Sequence, residues 1–180
     1  MSGKATAVAA TVLAVGGFTV AGCGSSGGDS APATGSSTAS AAAEVPAGYD
    51  PCNDVPQGVL DALQLHMKIP AKDTADDGTA WRGCQWVKSN AYGVAITITG
   101  ATLDTVKGKY PDAQQFTIAG RPALSSRQLA DHTPRQCTVN VQIKGGSLDI
   151  FLSDNDGPED SCGLARNIAE QVTPTLPPSL

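Results

Sequence analysis

Short runs in which hydrophobic and polar residues alternate occupy much of the chain between residues 84 and 152. Residues 94–99 place Val, Ile and Ile at every second position, and residues 137–143 do the same with Cys, Val, Val and Ile. Successive side chains of a strand point to opposite faces, so this period of two predicts strands with one buried face. Further strands are predicted at residues 84–87, 116–118, 122–125 and 148–152, and Gly145-Gly146 predicts a hairpin turn.

Segments with hydrophobic residues at helical spacing lie before and after these strands in the sequence. Residues 55–65 repeat Val and Leu at that spacing, and Pro56 suits the first turn of a helix. Residues 162–172 form an apolar stripe that ends before Pro174. Residues 102–115 predict a loop or a short helix, because Gly and Pro interrupt their pattern.

Together these elements predict an α+β fold. We expect an antiparallel sheet of about five to six strands, covered on one face by an N-terminal and a C-terminal helix. Between the first helix and the first strand, Ala71 to Gly78 predicts a polar loop. His66 follows the first helix, where a cation would be favoured by the helix dipole.

The first 22 residues predict a lipoprotein signal peptide. Lys4 precedes an apolar run, Ala5–Ala21, that is rich in Ala and Val. The sequence Val20-Ala21-Gly22-Cys23 then resembles a lipobox, in which a peptidase cuts just before the Cys. We expect a diacylglyceryl group on Cys23 to anchor the chain at the outer face of the cytoplasmic membrane. An ordinary secretory signal and an uncleaved anchor helix are the alternatives.

Residues 23–48 comprise the lipidated Cys and a predicted disordered linker. After the Cys they are almost wholly Gly, Ser, Ala, Thr and Pro, with Asp29 and Glu44 as the only charged residues. A flexible chain of this length has an end-to-end distance of roughly 25–30 Å. We therefore expect the globular domain to occupy residues 49–180, held clear of the lipid headgroups.

Four cysteines remain for the domain once Cys23 is assigned to the anchor. In an exported chain an even number of cysteines predicts disulfides. Four cysteines allow three pairings, and their spacing does not select one. We favour Cys52–Cys84 and Cys137–Cys162, because each of these pairs ties one predicted helix to the strand nearest to it in sequence.

Composition excludes several classes of partner and cofactor. The 180 residues carry a formal net charge of −5 and no basic run, so we expect no nucleic-acid partner. There is no C-x-x-C motif, only two His are present, and the acidic clusters lack the spacing of an EF-hand. We therefore expect no metal and no cofactor.

Several short motifs resemble those of the DUF3558 family of actinobacterial lipoproteins. These motifs are Asp50-Pro51-Cys52, Gly83-Cys84-Gln85-Trp86, Gly120-Arg121-Pro122-Ala123, Cys137, Asp160-Ser161-Cys162 and Leu176-Pro177. The resemblance covers the whole predicted domain and implies an envelope location and a lipid anchor. The family is functionally uncharacterised, so the resemblance implies no catalytic residues.

Two kinds of function fit these observations. We expect a noncatalytic binding or interaction module of the cell envelope that holds a partner protein or a small ligand. Trp81 is a candidate for its contact surface, because odd spacing turns it to the strand face opposite Trp86. His132, in a polar loop, is a second candidate. The alternative is a hydrolase-like envelope enzyme that uses His132 with a nearby acid or with Ser125 or Ser126.

Overall fold

A computed structural model describes residues 44–127, 135–154 and 160–180. Its α-helices are α1 (Pro51–Asp54), α2 (Gln57–Ala62), α3 (Leu103–Lys109) and α4 (Ser161–Val172), and α4 runs into a 3-10 turn at Thr173–Thr175. Its strands are β1 (His66–Thr74), β2 (Ala80–Lys88), β3 (Tyr92–Thr99), β4 (Gln114–Ile118), β5 (Arg121–Ser126), β6 (Gln136–Ile143) and β7 (Gly146–Asp154). The predicted α+β class is confirmed. The predicted signal peptide, Cys23, most of the linker and His132 lie outside the described residues.

The seven strands form one antiparallel sheet in the order β1-β2-β3-β7-β6-β5-β4. The register aligns the hydrophobic positions of the central strands. Ile96 lies opposite Ile150, and Ile150 lies opposite Val139 on its other side. All three side chains are completely buried. Because partners in antiparallel register share a face, the alternation seen in the sequence gives the sheet one continuous apolar face.

Helices α1, α2 and α4 cover this apolar face. Ile168 and Val172 of α4 are fully buried in the same core as the central strands, and α4 packs on β6 and β7. Leu60 of α2 joins the core from the N-terminal side. Asp160 begins α4 as its N-cap, where its carboxylate accepts a hydrogen bond of 2.8 Å from the backbone N–H of Gly163.

Two disulfides join the helical layer to the sheet, and both favoured pairings are confirmed. Cys52 of α1 is bonded to Cys84 of β2 with a Cα–Cα distance of 5.1 Å. Cys137 of β6 is bonded to Cys162 of α4 with a Cα–Cα distance of 5.0 Å. Each disulfide therefore connects one end of the domain to the strand beneath it.

The predicted number of strands is too low, because the hydrophobic pattern of the sequence does not predict β1. The expected polar loop at Ala71 to Gly78 is strand as far as Thr74, and His66 begins that strand instead of ending a helix. β1 is an edge strand with a single neighbour, and almost all of its side chains are exposed. An edge strand without a buried face has no reason to alternate hydrophobic and polar residues. Met67, with a φ of 56°, and a bulge between His66 and Ile69 further break its periodicity.

The second face of the sheet is covered only in part, by α3. Thr102 caps this helix by accepting a hydrogen bond of 3.2 Å from the backbone N–H of Thr105. Val106 of α3 packs with Ala113 and Leu124 in a small separate apolar cluster. Of the loop and the short helix predicted for residues 102–115, the structure has the helix. Within the described ranges, no helix has the length and apolar character needed to cross a membrane.

Candidate ligand-binding groove

A groove of about 410 Å³ opens on the second face of the sheet, between β2, the central strands and α3. The register places Gly83, Thr97, Asp149 and Asn140 in one row across β2, β3, β7 and β6. All of these positions face away from the layer formed by α1, α2 and α4. In an open sheet these residues would contact bulk water. Here they line a concave site.

Two small residues lie on this face, one in the groove and one beside it. Ala95 of β3 lines the groove with a single methyl group. Gly83 of β2 lies in the next row, and a Cβ atom at this position would overlap the carbonyl oxygen of Ile96. The close approach of β2 and β3 therefore requires a glycine.

Three aromatic side chains line the groove. Trp81 lies opposite Thr99 in the register of β2 and β3, and it is half-buried. Phe151 of β7 and Tyr110, just after α3, are also half-buried and add two further rings. Trp86, in contrast, is fully buried on the other face of β2. Aromatic walls of this kind offer apolar contact and the negative faces of their rings to a bound molecule.

A hydrogen-bonded chain fixes the amide of Asn140 on the groove floor. Its Nδ2 donates to Oδ2 of Asp149 at 3.0 Å and to Oγ of Ser147 at 3.3 Å. Ser147 donates its own hydroxyl hydrogen to the carbonyl oxygen of Ala101 at 2.8 Å, so its Oγ acts as an acceptor for Asn140. With both neighbours accepting, the NH₂ end of the amide must point towards them.

This orientation leaves the amide oxygen of Asn140 without a partner. The residue is only 1% exposed, and its Oδ1 has no hydrogen-bond partner in the described part of the chain. An unpaired buried acceptor costs roughly 1–3 kcal/mol. Because Asn140 lines the groove, a bound donor that reaches this buried atom would be favourable.

Burial raises the pKa of the Asp149 carboxyl to about 7, and the hydrogen bond from Asn140 offsets part of this rise. The side chain lies deep among protein atoms, although part of its surface reaches the groove. No Lys or Arg in the described ranges forms an ion pair with it. The groove floor therefore holds a carboxyl group whose charge has no partner of opposite sign in the described part of the chain.

The other charged side chains that line the groove pair with each other. Lys109 Nζ lies 3.3 Å from Oδ2 of Asp77, and both side chains are exposed. Hydrogen bonds from Thr79, together with Lys109, lower the pKa of the Asp77 carboxyl to about 2. Among the residues that the structure describes, the groove thus has one pair of exposed opposite charges and an acid on its floor without an ion-pair partner.

Some of the functional residues predicted from the sequence lie in the described part of the chain, and one lies outside it. Trp81 lies in the groove lining, while its role as a contact residue stays a prediction. Ser125 and Ser126 are each 5% exposed at the end of β5, and Oγ of Ser126 has no partner among the described residues. Because His132 lies outside those residues, the arrangement that the enzyme alternative needs also stays a prediction.

Sequence reasoning missed Asn140 and Asp149, although a signal was present. On a solvated sheet face, long charged side chains are common. The second-face positions of β3 are instead Ala95, Thr97 and Thr99, and those of β7 are Ser, Asp, Phe and Ser. On these two strands, mostly small residues with a single acid, and without Lys, Arg or Glu, are typical of an enclosed polar site.

The comparisons with known proteins give a family and no function. Residues 18–175 match the model of a family described as "Protein of unknown function (DUF3558)". No curated protein and no solved structure matches the chain.

Proposed function

Because the chain belongs to the DUF3558 family, whose function is unknown, we propose from the groove that its domain is a noncatalytic module that binds a small molecule. One observation carries the proposal. The buried Oδ1 of Asn140 lacks a partner among the described residues, in a groove that is otherwise well ordered by hydrogen bonds. A bound molecule with a hydrogen-bond donor would satisfy this atom while its apolar part contacts Trp81 and Phe151.

The chemistry of the lining favours binding over catalysis. Among the described residues, the groove is lined by no Cys, His or Ser, and the amine of Lys109 is held in the ion pair with Asp77. Its size falls within the roughly 300–1,000 Å³ of typical small-molecule sites. A carboxyl, an amide and aromatic rings can fix the orientation of a ligand, which is what a binding module needs.

Replacing Trp81 with Ala should weaken binding in the groove by about 5–30-fold, because an aromatic contact contributes roughly 1–2 kcal/mol, and occupancy should fall with it. The measurement is native mass spectrometry of the full chain purified from the cells that make it. The unsubstituted protein should carry a reproducible added mass that is lost on denaturation.

Met67→Ala is the matched control, since Met67 is 68% exposed on β1 and lies outside the groove. It should retain the added mass. A protein that carries no added mass, or one whose added mass is equally occupied in Trp81→Ala, contradicts the proposal.

We also propose that the module is anchored by lipid at the outer face of the cytoplasmic membrane. The support is in the sequence, where Val20-Ala21-Gly22-Cys23 follows an apolar run and precedes a linker of small and polar residues. Two acyl chains on one Cys suffice for stable anchoring. The anchor would hold the domain close to molecules that cross the envelope.

Changing Cys23 to Ser should release the protein from the membrane fraction, because the thiol that would carry the lipid is lost. Fractionation together with mass spectrometry of the N-terminal peptide measures this. Cys-to-Ser replacement leaves the apolar run intact, so a variant that stays in the membrane fraction would show that the run itself is the anchor.

A further inference from the structure

Resting on the proposed function, we infer that the ligand of the groove is a small organic cation whose protonated nitrogen binds between Asp149 and Asn140 and whose flat apolar part lies against Trp81 and Phe151. Two acceptors at the groove floor lack a partner among the described residues. They are the buried Oδ1 of Asn140 and the Asp149 oxygen that Asn140 does not contact. Two neighbouring acceptors match a group that has several N–H donors and no acceptor.

The charges and aromatic rings of the groove favour a positively charged ligand. No described Lys or Arg pairs with Asp149, while the nearby Lys109 is paired with Asp77. Aromatic rings attract cations to their faces, and Trp81 and Phe151 line the groove, whereas the ring of Tyr110 already has Lys109 Nζ 5.9 Å from its centroid. The net charge of −5 adds a weak general attraction for cations.

A neutral polyol fits these atoms less well. A sugar hydroxyl both donates and accepts, so it needs donors as well as acceptors around it. At the floor, the donor groups of Asn140 and Ser147 are already used by Asp149 and by the carbonyl oxygen of Ala101. An anion would meet the carboxyl group of Asp149 there, while the ammonium group of Lys109 is already paired with Asp77.

Binding of a cation should depend on pH through Asp149. The carboxyl must be ionised to pair with the ligand, and burial favours its protonated form in the empty groove. The other titratable side chains that line the groove are Asp77, Lys109 and Tyr110. Asp77 and Lys109 are exposed and paired. Affinity for a permanently protonated amine should therefore rise between about pH 5.5 and about pH 8, with release of protons.

The test uses three probes that share one aromatic body: 2-phenylethylammonium, 2-phenylethanol and 3-phenylpropanoate. Calorimetric titration of the full chain at about pH 8 should show the cation binding at least about tenfold more tightly than the alcohol, with no detectable binding of the anion. Lowering the pH to about 5.5 should reduce the affinity for the cation by about tenfold or more and leave the affinity for the alcohol unchanged.

Two variants make the test specific. Asp149→Asn should reduce affinity for the cation by about tenfold or more while changing that for the alcohol less than about threefold. Asp61→Asn removes an exposed carboxylate of α2, outside the groove, and should change neither affinity. The pH profile of the unsubstituted protein gives the same information independently of any variant.

The outcomes separate this inference from the proposed function. Equal binding of cation and alcohol, tightest binding of the anion, or an Asp149→Asn variant that binds the cation normally would overturn the cation assignment and leave a binding groove. If no probe binds but the purified protein carries an added mass that depends on Trp81, the cation assignment also fails and the proposed function stands. If no probe binds and no added mass is found, both fail.

Discussion

Replacing Asp149 with Asn should make the protein more stable at about pH 8 and leave its stability at about pH 4 nearly unchanged. The pKa of this carboxyl is about 7 in the folded protein and near its ordinary value of 3.8 in the unfolded chain. Between these two values the folded state binds more protons than the unfolded state, so the free energy of unfolding falls as pH rises from about 4 to about 7. Above about pH 7 the full cost of the buried charge is present.

The expected gain at about pH 8 is about 2–4 kcal/mol, since each pKa unit corresponds to about 1.4 kcal/mol and the groove wets part of the carboxyl. The introduced asparagine would keep an oxygen for the hydrogen bond from Asn140, which is now 3.0 Å long to the Asp149 carboxylate. Urea unfolding of the protein freed of any bound ligand, at several pH values between about 4 and about 8, measures the effect.

Asp77→Asn provides a control of opposite sign. The pKa of Asp77 is lowered to about 2 by Thr79 and Lys109, so its charge stabilises the folded state above about pH 4 and that contribution is lost as pH falls towards 2. Asp77→Asn should therefore lose a little stability at about pH 8. An Asp149→Asn variant that is less stable than the unsubstituted protein at that pH, or whose stability keeps the same dependence on pH, would contradict the account.

Removing the disulfide between α4 and β6 by a double change, Cys137→Ala with Cys162→Ala, should lower the free energy of unfolding by about 3–4 kcal/mol. The bond closes a loop with a sequence separation of 25, and its loss frees the unfolded chain. This is a large part of the roughly 5–15 kcal/mol that is typical of domains. Urea unfolding of the full chain at about pH 7 measures the loss.

The double variant should still fold and keep its groove. Ile168 and Val172 remain buried and hold α4 on the sheet, and the groove lies on the opposite face. The added mass seen by native mass spectrometry should therefore persist. A loss below about 1 kcal/mol would show that the disulfide contributes little, and loss of the ligand from a folded variant would place the site on the helical face.

Much of the fold could be predicted because several strands have one buried face. β3, β6 and β7 alternate clearly because Ile96, Val139 and Ile150 are buried together, and the predicted β6–β7 hairpin is present. The cysteine pairing also followed from the neighbourhood of helices and strands. β1 could not be predicted, because an exposed edge strand is held by backbone hydrogen bonds and carries no hydrophobic period.

The groove was harder to predict than the strands. The alternation along β2 placed Trp81 on the sheet face opposite that of Trp86. It did not indicate that this second face is partly covered. That depends on α3, on the small side chain of Ala95, and on the register that brings Asn140 next to Asp149. These are contacts between distant parts of the chain. A charge that costs stability and is nevertheless present, as at Asp149, is typical of a site that is shaped by its ligand.

The central claim is that the groove holds a small molecule, and filling the groove tests it most directly. Ala95→Trp places a large ring on the groove floor, and Ala62→Trp places the same ring on the exposed end of α2. Both full chains are purified from the cells that make the protein and compared by native mass spectrometry. We expect the added mass to be absent from folded Ala95→Trp and present in Ala62→Trp. An added mass of equal occupancy in both variants would contradict the claim.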